Sequence, residues 1–90
     1  MGRVLAKFQI RSVDIDVDMD KLSVECNKIL SKHGSVGQME INPVAFGLKE
    51  IIAVLVLPGD KGGTDAIEEE LNKIEGVDRA EVIDVRLAFG

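Results

Sequence analysis

The sequence contains no tryptophan and no tyrosine, and in 90 residues it has one cysteine, one histidine and two prolines. A lone cysteine, Cys26, cannot close an internal disulfide or furnish a cysteine-based metal site, so neither kind of staple supports the fold. With His33 as its only imidazole the chain lacks an evident base, nucleophile or ligand set, and an enzyme is the least favoured class. Aromatic residues are confined to Phe8, Phe46 and Phe89. That is a poor supply for the strand aromatics on which small sheets stack RNA bases. The longest apolar run, Ile51 to Pro58, falls far short of the roughly 20 residues that cross a bilayer. Arg3, Lys7, Gln9 and Arg11 interrupt the first dozen positions, which excludes a signal-peptide hydrophobic region there. A cytoplasmic protein with no membrane partner is expected.

What the chain does have is 46% apolar and 30% charged residues, with 16 Asp and Glu against 11 Lys and Arg for a net charge of −5. This suits one small domain, residues 1–90, with a single core under a solvated surface. A core of that size is marginal. The negative balance argues against direct binding to a nucleic acid backbone.

From Arg3 to Ile10 the apolar residues Val4, Ala6, Phe8 and Ile10 alternate with polar ones, the mark of a strand with one buried face. Leu22, Cys26, Ile29 and Leu30 then form one helical stripe, starting near Asp18 to Asp20 and ending before Gly34, which suits a C-terminal cap. Val36 to Ile41 reads as a short strand that stops at Asn42-Pro43, at a sheet edge. Leu48 to Leu57 is rich in β-branched residues without a polar member from Ile51 on, which predicts a central strand buried on both sides. A glycine-rich loop, Pro58 to Gly63, leads to a second helix capped by Thr64 or Asp65, with Glu68 placed for a capping box to Asp65. Ile67, Leu71 and Ile74 form its buried face and Gly76 ends it. In the last strand, Arg79 to Leu87, Ile83, Val85 and Leu87 fall on one face, with Ala80, Val82, Asp84 and Arg86 on the other.

The order βαββαβ is the split βαβ of a ferredoxin-like α+β fold: a four-stranded antiparallel sheet with two helices on one face. Right-handed crossovers place the first and third strands in the middle. The opposite face stays open, with apolar side chains of the central strand available to a partner.

Individual residues divide between bland and functional roles. His33 sits at a helix C-terminus, where a cation complements the dipole. Cys26 lies on the apolar stripe and reads as a small buried hydrophobe. The run Asp14 to Asp20 places Asp14, Asp16, Asp18 and Glu25 at positions one, three, five and twelve of a calcium loop. Met19 occupies the position that requires glycine, however, and Leu22 offers no oxygen at position nine. Acidic residues at a helix N-terminus account for the run better than metal binding does. In Gly59 to Thr64 the order of Lys61 and the glycines is wrong for a phosphate-binding loop. Phe46, between Pro43 and Gly47 on a short connection, either projects from the tip as an interface anchor or folds back over the open end of the core. On physical grounds alone the second placement is slightly favoured.

The string Pro43-Val44-Ala45-Phe46-Gly47-Leu48-Lys49, the apolar strand after it, the Gly63-Thr64-Asp65 helix start and the turn Ile74-Glu75-Gly76-Val77 resemble the guanine-nucleotide exchange domains of translation elongation factor 1-beta, in the short archaeal form. The resemblance covers nearly the whole chain, and Pro-x-Ala-Phe-Gly-Leu is its specific part. It implies a ferredoxin-like domain that binds the GTPase elongation factor 1-alpha and accelerates release of GDP, with no chemistry and no cofactor of its own. It also implies a partner-binding role for Pro43, Ala45, Phe46 and Gly47, with the Phe46 ring packing into the GTPase. Eukaryotic relatives use a Lys next to last in the chain; this sequence ends Asp84-Val85-Arg86-Leu87-Ala88-Phe89-Gly90, and Arg86 is the nearest cation. Arg86 takes that part if the alignment shifts by a residue, although a guanidinium fork does not automatically replace a compact ammonium.

Two further readings follow from the fold type: a ferredoxin-like module that senses a small molecule between paired copies, or a subunit that oligomerises through its open sheet face. A glycine-rich first strand–helix junction would favour the sensor, and here that junction is Asp-rich. For an exchange factor a monomer is expected.

Overall fold

The alternation near the N-terminus is realised in strand β1 (Arg3–Ser12), where Ala6, Phe8 and Ile10 are buried and Arg3, Lys7 and Arg11 are exposed. The computed structural model describes residues 2–58 and 64–88. After β1 come α1 (Met19–His33), β2 (Ser35–Pro43), a 3-10 turn (Ala45–Gly47), β3 (Lys49–Pro58), α2 (Asp65–Asn72) and β4 (Val77–Ala88). All strand pairs are antiparallel and lie in the order β2-β3-β1-β4. This is the ferredoxin-like α+β arrangement, with β1 and β3 central and β2 at an edge. Leu22, Cys26 and Leu30 of α1 and Ile67 and Leu71 of α2 join Phe8, Ile10, Ile51 and Leu55 in one core on the helix-covered side of the sheet. The loop Gly59–Gly63 lies outside the described residues.

Helix α1 starts where Asp18 caps it, its carboxylate accepting from the Asp20 and Lys21 amides at 3.1 and 3.2 Å. Its other end is capped by Gly34, whose amide donates to the Leu30 carbonyl at 3.1 Å. Gly34 is extended there, with φ −174°, so the glycine is not needed for a left-handed cap. A Cβ at this position would collide with the Val56 carbonyl oxygen. Close approach of helix end to sheet is what excludes a side chain.

Three expectations from the sequence are corrected. Strand β3 buries only one side: Ile51, Ala53, Leu55 and Leu57 pack under the helices, while Ile52, Val54 and Val56 are half-buried on the open face. Both helices lie on the same side, so among the described residues only neighbouring strand side chains shield the other.

Helix α2 has no capping box. Thr64 is its N-cap and makes no side-chain bond. Glu68 is thereby one position past the box, and its carboxylate accepts from the Val82 amide of β4 at 2.9 Å. The helix stops at Asn72, and Gly76, with φ +98°, belongs to the turn before β4.

Strand β4 does not keep one alternation. Lys7 pairs with Asp84 and Phe8 with Val82, so Ile83 has no counterpart and forms a bulge. One extra residue reverses which face every later residue takes. Ala80 and Val82 therefore share the helix-side face with Val85 and Leu87, which pair with Ala6 and Val4, while Asp84 and Arg86 turn to the open face opposite Lys7 and Leu5.

Candidate functional site

Strands β2 and β3 are joined by a tight turn, closed by the Val44 amide donating to the Leu48 carbonyl at 2.8 Å and the Leu48 amide donating to the Ala45 carbonyl at 3.3 Å. Phe46 and Gly47 occupy its centre with positive φ, 64° and 78°. Two successive left-handed residues are the signature of the hairpin turn whose twist matches the flanking strands. Glycine adopts that conformation freely, but a bulky side chain is strained in it, at a cost of order 1 kcal/mol. The Phe46 ring is 94% exposed, so no burial within the chain offsets that strain. The ring projects and does not fold back over the core, the placement that physical grounds alone had slightly favoured. The reason is geometric: position 46 stands at the apex of the turn, beyond the last cross-strand pair Pro43–Lys49, with no strand beside it to pack against.

Pro43, the last residue of β2, pairs across to Lys49 at the base of this turn, and Ala45 precedes the ring. Pro43, Ala45, Phe46 and Gly47 are thus brought together. The pairs Arg11–Glu50 and Ser12–Val77 show that the β1–α1 loop, this hairpin turn and the α2–β4 turn share one end of the sheet.

Residues 5–87 match the EF-1 guanine nucleotide exchange domain. The chain belongs to that family. It is 42% identical over 88 residues to elongation factor 1-beta of Sulfolobus acidocaldarius, covering 96% of this chain and 98% of that protein. It is 36% identical over 87 residues to elongation factor 1-beta of Archaeoglobus fulgidus, covering 97% of this chain and 99% of that one. The corresponding protein of Methanothermobacter thermautotrophicus is 36% identical over 86 residues, with 96% and 97% covered. Membership supports a nucleotide-exchange role in translation elongation.

In this EF-1 exchange domain Arg86 stands apart from the Phe46 turn. It lies opposite Leu5, six residues along β1 from the Arg11–Glu50 pair, which at about 3.3 Å per residue puts roughly 20 Å of strand between it and the base of the hairpin. Its Nε donates to the Asp84 carboxylate at 2.8 Å on an exposed stretch of the open face. The five residues singled out from the sequence therefore form a four-residue tip and one distant cation.

The remaining candidates take structural roles. Cys26 is fully buried, and burial, helped by the neighbouring Glu25 carboxylate, pushes its thiol from the ordinary 9.0 to about 12. His33 sits in the last turn of α1 with Nε2 3.3 Å from the Glu70 carboxylate of α2, and Lys32 reaches the same carboxylate at 3.9 Å. The Asp14–Asp20 run supplies the α1 cap through Asp18 and a bond from the Ile15 amide to the Asp14 carboxylate, 2.6 Å. Among the described residues no group of three or more metal-type side chains converges. The Gly59–Gly63 stretch is outside the described residues, and no described helix is long and apolar enough to cross a membrane.

The tip has a second apolar element. Val13 and Ile15, in the β1–α1 loop, are 55% and 61% exposed. Ile15 lies against the hairpin turn: a Cβ at Gly47 would stand 3.4 Å from its Cγ2. Hydropathy patterning passes over both residues, since carboxylates dominate their segment. The available signal was two β-branched residues alternating with Asp14 and Asp16 outside any strand.

Proposed function

We propose that this chain is the guanine-nucleotide exchange factor for the translational GTPase elongation factor 1-alpha, with residues 1–90 working as one domain and the Phe46 turn as its anchor. The observation that carries this reading is Phe46 itself: a large ring held in a strained left-handed backbone and almost wholly exposed. Inside an isolated domain both features are unfavourable. A ring seated in a partner's recess turns the exposure into burial and the rigid turn into preorganisation. Pro43 stiffens the approach to the turn, Ala45 leaves the ring unobstructed, and Gly47 accepts the second left-handed position.

Exchange needs no reaction at this chain and no cofactor bound to it. A GTPase holds its nucleotide largely through the phosphates and Mg²⁺. A factor that binds the empty GTPase more tightly than the loaded one must weaken the nucleotide by the same ratio. Displacing a switch element or the metal with the Phe46 wedge creates that difference. Arg86 serves as a second contact at the far end of the open face, which requires its pair with Asp84 to open. The factor acts as a cytoplasmic monomer, without direct contact to nucleic acid or membrane.

Release of a fluorescent GDP analogue from elongation factor 1-alpha, chased by excess GDP, tests the reading. The wild-type chain should accelerate release and Phe46→Ala should abolish the acceleration while remaining folded. An unchanged release rate at micromolar excess of the wild-type chain would overturn it.

A further inference from the structure

Ile15 is held in solvent by a loop that is locally well tied. The Val13 amide donates to the Gly76 carbonyl at 2.9 Å, the Ile15 amide to its neighbour Asp14, and the Val17 amide to the Asp14 carbonyl at 3.4 Å, with Asp18 then capping α1. Val17, two residues on, packs against Gly76 and the core, so the same loop can bury an aliphatic side chain. Ile15 instead rests beside the bare backbone of Gly47, the residue that follows Phe46 in the chain, and its sequence neighbours Asp14 and Asp16 are both exposed. An apolar centre ringed by charged groups is the composition of an interface hot spot and its rim.

We infer that Ile15 forms one continuous apolar contact with Phe46, docking in the same recess of the GTPase, and that Asp14 and Asp16 face basic groups at the rim of that recess. This deepens the exchange reading of the Phe46 turn and rests on it. Because Gly47 carries no side chain, nothing at that position stands between Ile15 and a partner seated on the turn. The β1–α1 loop thereby becomes part of the partner surface, and the aspartates there have a use beyond capping a helix.

The test measures nucleotide release across a range of factor concentrations, using the full chain and nucleotide-loaded elongation factor 1-alpha. Ile15→Thr keeps the branched shape at an exposed position and should melt with the wild type. It should raise the half-saturating concentration about fivefold to tenfold, the loss expected of a peripheral hot-spot residue, with the maximal release rate retained and Ile15→Leu close to wild type. The double variant Asp14→Asn, Asp16→Asn preserves local hydrogen bonding and should weaken the dependence of association on salt. If Phe46→Ala is impaired while Ile15→Thr half-saturates with the wild type, the Ile15 contact is overturned and the exchange reading stands. An unaltered salt response in the double variant removes the basic rim. A wild-type chain that leaves release unchanged removes both the exchange reading and the contact built on it.

Discussion

Phe46 and Gly47 form a consecutive left-handed pair, φ 64° and 78°, at the tip of the β2–β3 hairpin. Asn-Gly is the sequence that such a turn prefers, because a short polar side chain tolerates positive φ. Phe46→Asn should therefore stabilise the isolated chain by about 0.5–1 kcal/mol, read from the denaturant midpoint, while destroying nucleotide exchange. Stability and activity moving in opposite directions at one residue would identify the strain as functional. A Phe46→Asn protein that is less stable than wild type would refute this.

Arg86 meets Asp84 on the open face and lies far from Phe46. An exposed pair of this kind contributes about 0–1 kcal/mol, so Arg86→Ala should leave the melting temperature nearly unchanged. As loss of a second contact it should lower the maximal release rate and leave the Phe46-dependent association in place. Equal rates for Arg86→Ala and wild type would confine the partner surface to the hairpin end.

Asn72 holds the edge of β4 with both ends of its amide, its Oδ1 accepting from the Ala80 N–H and its Nδ2 donating to the Ala80 C=O, each at 2.9 Å. No sequence pattern around Asn72 announces this. Removing the side chain leaves these backbone groups without their partner, and Asn72→Ala should cost about 1–3 kcal/mol in chemical denaturation. It should also speed hydrogen exchange at the Ala80 amide. Exchange at the Ala80 amide unaltered by the substitution would show that the amide bridge is not what protects the edge.

Cys26 gives the fold a pH dependence at the alkaline end. Burial holds the folded thiol up to about 12, against an ordinary 9.0. Below pH 9 the thiol is protonated in both states and makes no difference. Above pH 9 the unfolded chain loses the proton and the folded one keeps it, so stability declines by about 1.4 kcal/mol per pH unit until the folded thiol titrates. Cys26→Ala should flatten that part of the stability curve. A thiol reagent at pH 8 should modify native wild type only slowly, and rapid modification of the folded protein would contradict the burial.

Much of this was legible from the sequence, since hydrophobic period is a local property. The alternation in Arg3–Ile10, the stripe Leu22–Cys26–Leu30 and the apolar run from Ile51 mark three elements by themselves, and the βαββαβ order follows with a fourth strand and second helix. The Pro-x-Ala-Phe-Gly-Leu string pointed to the hairpin. Less legible was whatever depends on a partner distant in the chain. The Ile83 bulge exists only relative to Lys7 and Phe8. Glu68 fits a capping-box spacing, yet binds Val82 because α2 begins a residue earlier than the box requires.

The sequence by itself determined the element order, the core face of each helix and the identity of the residues at the hairpin, because periodicity and turn chemistry act over a few residues. Only the tertiary structure decided that Phe46 points into solvent, that Ile15 sits against Gly47, and that Arg86 stands some 20 Å of strand away from both. Each depends on a left-handed backbone or a register between strands, which residues far apart in sequence settle together as they pack.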